Sequence, residues 1–115
     1  MEKAEGKRVM YSVLQASYDS MSDVLYFSLG DPVPNETEGV ANGLELGFDQ
    51  ETGAPCGGTV VGYRQYEWPH HLDKLAAIIG SHLGMAPDAV ETIVNETLRP
   101  RAPVVFAAGS QPFYR

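Results

Sequence analysis

The chain has 115 residues, 43% of them apolar, which fits one domain able to bury its own core. A net charge of −7, with the 8 basic residues scattered, excludes the clustered Lys and Arg that nucleic-acid binding relies on. A single cysteine, Cys56, excludes an internal disulfide, and no stretch reaches the ~20 apolar residues of a membrane span. The charged residues 1–8 precede no apolar leader run, so the expectation is a soluble cytoplasmic protein with no membrane partner.

Residues 1–8 read as a flexible leader. Residues 9–18 are rich in strand formers, with Met10, Leu14, Ala16 and Tyr18 on one alternating face, and predict a first strand. A helix over residues 10–15 is the alternative reading. Asp19, Ser20, Met21 and Ser22 predict a turn, since Asp and Ser side chains accept hydrogen bonds from nearby backbone. Residues 23–29 predict a second strand. Its period of two sets Leu25, Phe27 and Leu29 on one face and Val24, Tyr26 and Ser28 on the other.

Pro32 and Pro34 mark residues 30–39 as a loop, an excursion or an edge rather than a central strand. Leu44, Leu46 and Phe48 alternate with Glu45, Gly47 and Asp49, predicting a third strand with one wet face. Residues 49–55 are hairpin-turn material, and residues 59–66 predict a fourth strand. The period then changes. Leu72, Leu75, Ala76, Ile79 and Leu83 form a helical stripe, with Pro69 in the first turn and Gly84 at the end. A second helix opens at Pro87 and Asp88, presents Val90, Ile93 and Val94, and stops before Pro100. Strands first and helices second predict an α+β fold. It is a four-stranded antiparallel β-meander (9–66) followed by two C-terminal helices (69–99) on one face. An extended tail (100–115) completes a single domain (1–115).

The first hairpin also carries a family resemblance. Tyr18-Asp19, three residues, then Asp23-Val24-Leu25-Tyr26 and Leu29 resembles the opening signature of a small, mostly bacterial family, domain of unknown function number 2283. Gly43 to Asp49, Gly53 and Val60-Val61-Gly62-Tyr63 are similar to the family's continuation. Tyr63 stands where a branched aliphatic is usual, and Gly57-Gly58 is additional. The resemblance spans roughly residues 16–65. It implies a small β-meander with no assigned activity, and Tyr18, Asp19, Asp23, Leu25 and Tyr26 as a structural signature that fixes the first hairpin.

No catalytic, cofactor or metal motif stands out, and no cofactor is expected. His70, His71 and Asp73 come nearest to a metal set, since His70 and Asp73 have i, i+3 spacing, but His82 is too far along to complete it. Polar residues in a first helical turn, with Asp73 favoured by the macrodipole, are the preferred explanation of them. Cys56, in Pro55-Cys56-Gly57-Gly58, has no neighbouring His to activate it and reads as a hairpin thiol. Asp19 and Asp23 can act as an acid/base pair only if their surroundings split their pKa values; a turn gives both a structural role. Tyr11, Tyr18, Tyr26, Tyr63, Tyr66 and Trp68 are divided between core and interaction surface.

Two functions follow from this. The first is a non-enzymatic protein-interaction module for a basic protein partner, an antitoxin-like role being one form of it. The alternative is a small metal-dependent enzyme using His70, His71 and Asp73. A continuous apolar run at residues 104–108, with Phe113 and Tyr114 beyond it, predicts an arm that adds to a sheet edge. The expected assembly is a homodimer to which residues 103–114 contribute.

Overall fold

The computed structural model describes residues 13–99. Five strands come first: β1 (Leu14–Asp19), β2 (Val24–Leu29), β3 (Asn35–Ala41), β4 (Leu44–Asp49) and β5 (Pro55–Val61). A short 3-10 helix (Trp68–His71) leads into α1 (Leu72–Leu83), and α2 (Pro87–Leu98) follows. The class is α+β, with the strands ahead of the helices. Residues 1–12 and 100–115 lie outside the described residues, and with them the expected leader, tail and arm. Among the described residues, no helix is long and apolar enough to cross a membrane.

The sheet is antiparallel throughout, in the order β1-β2-β5-β4-β3. Five strands replace the expected four, because residues 35–41 form β3 rather than the end of a loop. All of β3 is exposed at the sheet edge, and both prolines stay in the connection before it, where they remove no ladder donor. The consecutive order also breaks once. β3, β4 and β5 run as a meander, but β2 pairs with β5, so residues 30–34 must carry the chain past two strands.

The expected fourth strand is shifted as well. β5 begins at Pro55 and stops at Val61, because Gly62 (φ 79°) turns the chain and the N–H groups of Gly62 and Tyr63 donate to the Asp23 carbonyl. The helix option over residues 10–15 fails at its described end, since Leu14 and Gln15 pair with Leu29 and Ser28.

Both helices cover one face. Leu25 and Phe27 of β2, Leu44 of β4 and Val60 of β5 pack with Leu75, Ala76 and Ile79 of α1 and Val90 and Val94 of α2. Burial of such side chains contributes about 1.5–3 kcal/mol each and is the main force holding the layers together. Two glycines permit close approach, one between sheet and α1 and one between α1 and the start of the next connection. A Cβ on Gly58 would sit 3.0 Å from Ile79 Cδ1, and one on Gly80 would sit 2.6 Å from the Met85 carbonyl. Gly84 (φ 72°) then closes α1 in the left-handed conformation, its N–H donating to Gly80 O.

The opposite face has no helix over it among the described residues. Register places Ser17, Tyr26, Thr59 and Glu45 in one row across β1, β2, β5 and β4. Ser28, Gly57, Gly47 and Thr37 form the next row across β2, β5, β4 and β3.

Candidate functional site

The chemistry of the first hairpin centres on Asp23, which ends the β1–β2 turn at φ 60°. Aspartate tolerates the left-handed region better than most side chains, which explains its use here. The Asp23 carbonyl accepts the N–H of Gly62 at 2.8 Å and of Tyr63 at 3.1 Å. Its Oδ1 accepts the Tyr18 hydroxyl at 2.7 Å and the Arg64 N–H at 2.8 Å, and its Oδ2 accepts the Gln65 N–H at 3.0 Å. Arg64 Nε donates to the Tyr18 hydroxyl at 3.1 Å, with the guanidinium 5.5 Å from the ring centroid. One carboxylate thus clasps the first turn to the segment leaving β5, about forty residues later in the chain.

Asp19 works more locally. Its Oδ1 accepts the N–H groups of Met21 at 3.0 Å and Ser22 at 3.3 Å. Asp49 repeats the device in the β4–β5 turn, accepting from Glu51 at 2.7 Å and Thr52 at 3.4 Å. Both Asp19 and Asp23 lie below the usual carboxylate range, so the two are not split into an acid and a base. For Asp19 the Ser22 side chain and the Ser22 and Met21 N–H groups stabilise the charge. For Asp23 desolvation pushes upward, but the Arg64 N–H, the Tyr18 hydroxyl, the Gln65 N–H and the Arg64 charge together outweigh it. Desolvation and then Asp23 push the Tyr18 hydroxyl upward. Leu25 is in the core, and Tyr26 stands on the uncovered face, outside the clasp.

The metal candidates do not converge. His70, His71 and Asp73 are all exposed, at the junction of the 3-10 helix and α1. Among the described residues, no group of three or more His, Cys, Asp or Glu could hold a metal ion. His82 is engaged elsewhere, with Nε2 at 2.9 Å from Gly47 O. A carbonyl only accepts, so that nitrogen carries the proton, and the ring also meets Phe48 edge-on at 5.0 Å. Cys56 is half-buried; burial and then the nearby Asp49 charge push its thiol upward, the reverse of what a nucleophile needs.

No family model, no curated protein and no solved structure matches this chain.

The aromatic residues divide between two roles. Tyr63 and Trp68 are buried, and Tyr63 meets Tyr18 edge-on at 5.8 Å. Tyr26 and Val61 stand on the uncovered face, 45% and 47% exposed, diagonally two residues apart in register on neighbouring strands. Tyr66, 46% exposed, lies against Gly62 and Gly43 immediately beyond Val61. Glu45 shares that face, and Arg64, Lys74 and Arg99 are the only basic residues between positions 13 and 99.

Sequence reasoning missed the turn that supports this surface. Asn42 (φ 44°) and Gly43 (φ 82°) form the two-residue β3–β4 connection, and Asn42 O accepts the Trp68 indole N–H at 2.9 Å. An Asn-Gly pair between two strand-like runs is the strongest short hairpin signal and was available in the sequence.

Proposed function

We propose that the protein is a non-enzymatic interaction module whose uncovered sheet face docks a basic protein partner. The observation that carries this reading is the exposed Tyr26 and Val61 pair on the side of the sheet away from both helices, with the exposed Tyr66 beyond Val61. Exposed aromatics are enriched at interface centres, where a ring supplies large contact area at low entropy cost. The acidic excess over residues 13–99 adds long-range attraction for a basic partner. An antitoxin-like role is one form of this module.

Membership of the domain family number 2283 belongs to the same proposal, supported by the Tyr18, Asp19 and Asp23 pattern in one turn. So does pairing with a second copy, for which the described residues offer two sheet edges, β1 and β3. Light scattering on the full chain and on a chain ending at Arg101 tests the pairing. A monomeric full chain refutes it, and a shortened chain that still dimerises refutes the part given to residues 103–114.

The docking face is tested by co-purification of the full chain from its own host, followed by titration with the purified partner. A basic protein whose binding weakens with salt, and weakens at least tenfold with Tyr26→Ser plus Val61→Ser at unchanged melting temperature, is the expected result. A partner bound equally by that double variant overturns the assignment of the face.

A further inference from the structure

The chain between β2 and β3 has more to do than connect. Residues 30–34 travel past β5 and β4, and Pro32 and Val33 come to line a cavity of about 240 Å³ against the uncovered face. The floor is glycine. Gly57 and Gly47 are register partners on β5 and β4, so neither places a side chain of its own in the space above the floor. Ser17, Ser28, Thr37 and Thr59 stand around the floor, and Tyr26 lines one wall.

Both ends of the roof are tied down. The Ser28 hydroxyl donates to Gly30 O at 2.7 Å, the Asn35 amide donates to Val33 O at 2.9 Å, and the Gln50 N–H donates to Pro34 O at 3.1 Å. These bonds also leave two acceptors at the cavity wall. With its proton committed to Gly30, the Ser28 hydroxyl has only lone pairs left to offer. With one amide N–H engaged by Val33 O, the Asn35 side chain carries Oδ1 toward Gly47, 3.3 Å from where a Cβ there would lie. The cavity has no charged side chain in its lining. An anion would meet no cation there and would enter against the acidic excess of the chain. The volume falls below the ~300–1,000 Å³ of drug-sized sites, which restricts an occupant to about one ring.

We propose that this cavity binds an uncharged single-ring ligand that donates N–H hydrogen bonds to Ser28 and Asn35 while its ring lies on the Gly47–Gly57 floor. The class includes free pyrimidine bases and aromatic carboxamides. The proposal stands independently of the docking face, although Tyr26 borders both.

Amide chemical shifts of the full-length protein, titrated with matched pairs of compounds, test it. Uracil and nicotinamide are the uncharged donors, and cytosine adds an exocyclic amine. Orotate and nicotinate keep the uracil and nicotinamide rings but carry a carboxylate. The expected result is saturable shifts at Gly47, Gly57 and Thr59 with at least one uncharged compound, and binding at least tenfold weaker for its charged counterpart. Asn35→Ala, at an exposed position, and Gly47→Ala, which raises the floor, should each weaken binding at least tenfold. As the only cysteine in the chain and a lining residue, Cys56 gives a second readout. A bound ligand should slow its reaction with a thiol reagent at least threefold. No saturable shift from any of the three uncharged compounds overturns the proposal. So does equal binding of the carboxylates, or binding that survives both substitutions.

Discussion

Removing the Asp23 carboxylate tests the clasp most directly. Three donors converge on it, from Tyr18, Arg64 and Gln65, at 2.7–3.0 Å. Hydrogen bonds to a charged group contribute about 1.5–3 kcal/mol each when shielded from water. The Arg64 and Gln65 N–H groups are exposed and can turn to solvent, so the three together are worth about 2 kcal/mol rather than their sum. Asp23→Gly removes them while keeping a residue suited to φ 60°. Asp23→Ala removes them and adds roughly 1 kcal/mol for an unassisted side chain in the left-handed region. Asp23→Asn keeps the shape and the backbone fit and should lose about 1 kcal/mol. Urea melts at pH 7 should therefore rank the variants Asn, Gly, Ala in order of increasing loss. At about 4–8 °C per kcal/mol for a domain of this size, Asp23→Ala should melt at least 10 °C lower. Because the folded Asp23 pKa is depressed, its contribution is present above the ordinary carboxylate value near 4 and is lost as pH falls through the folded value. The gap between wild type and Asp23→Asn should accordingly narrow below about pH 4. If Gly proves worse than Ala, the backbone argument fails. If all three lose less than about 0.5 kcal/mol, the clasp is not a stabilising feature.

Three further outcomes are expected. A Cβ on Gly57 would fall 2.3 Å from Phe27 O, so Gly57→Ala should lower stability by about 2–3 kcal/mol, whereas Gly39→Ala, with nothing within 4 Å, should change it by less than about 0.5 kcal/mol in thermal melts. Similar losses for both would refute the close-approach argument. Trp68→Phe keeps the buried ring but strands Asn42 O, and should cost about 1–2 kcal/mol and speed amide exchange at the Asn42–Gly43 turn; unchanged exchange would refute the link. Tyr18 and Tyr63 both have hydroxyl pKa values raised chiefly by burial, so stability is full below pH 10 and is lost as pH rises through their folded values. Absorbance at the tyrosinate band should lose one late-titrating ring in Tyr18→Phe; an unchanged late phase would refute the assignment.

Much of the fold was legible because period is a strong signal. The stripe from Leu72 to Leu83 and the Pro87 start of α2 fall where periodicity and capping put them. β2 and β4 stand where alternation put them, with Leu25, Phe27 and Leu44 in the core. β3 was lost because a fully exposed edge strand buries nothing and so writes no hydrophobic pattern; only the Asn42-Gly43 turn betrayed it. The β2–β5 pairing was invisible for another reason. Local sequence specifies which residues are strands, whereas the choice of a distant neighbour rests on long-range contacts such as Asp23 with Arg64 and Gln65. The turn roles of Asp19 and Asp23 were readable from residue type, but the second partner of Asp23 was not. The cavity under Pro32 was hidden because it depends on that same unforeseen strand order.

The strand order also has a kinetic consequence. The described residues form two sequence-local blocks, the β1–β2 hairpin and everything from β3 onward, which meet along the β2–β5 seam, where Val24 faces Val61 and Ser28 faces Gly57, and where the helices pack on the hairpin. Each block can search its own contacts quickly, but the seam closes a loop of some thirty to forty residues and should come late in folding. Residues 30–34 are then a tether that raises the local concentration of one block around the other. Two fragments divided at Val33 should still find each other, only at a rate set by their concentration. If that reassociation is absent under conditions where the intact chain refolds, the tether is instead part of the folding nucleus.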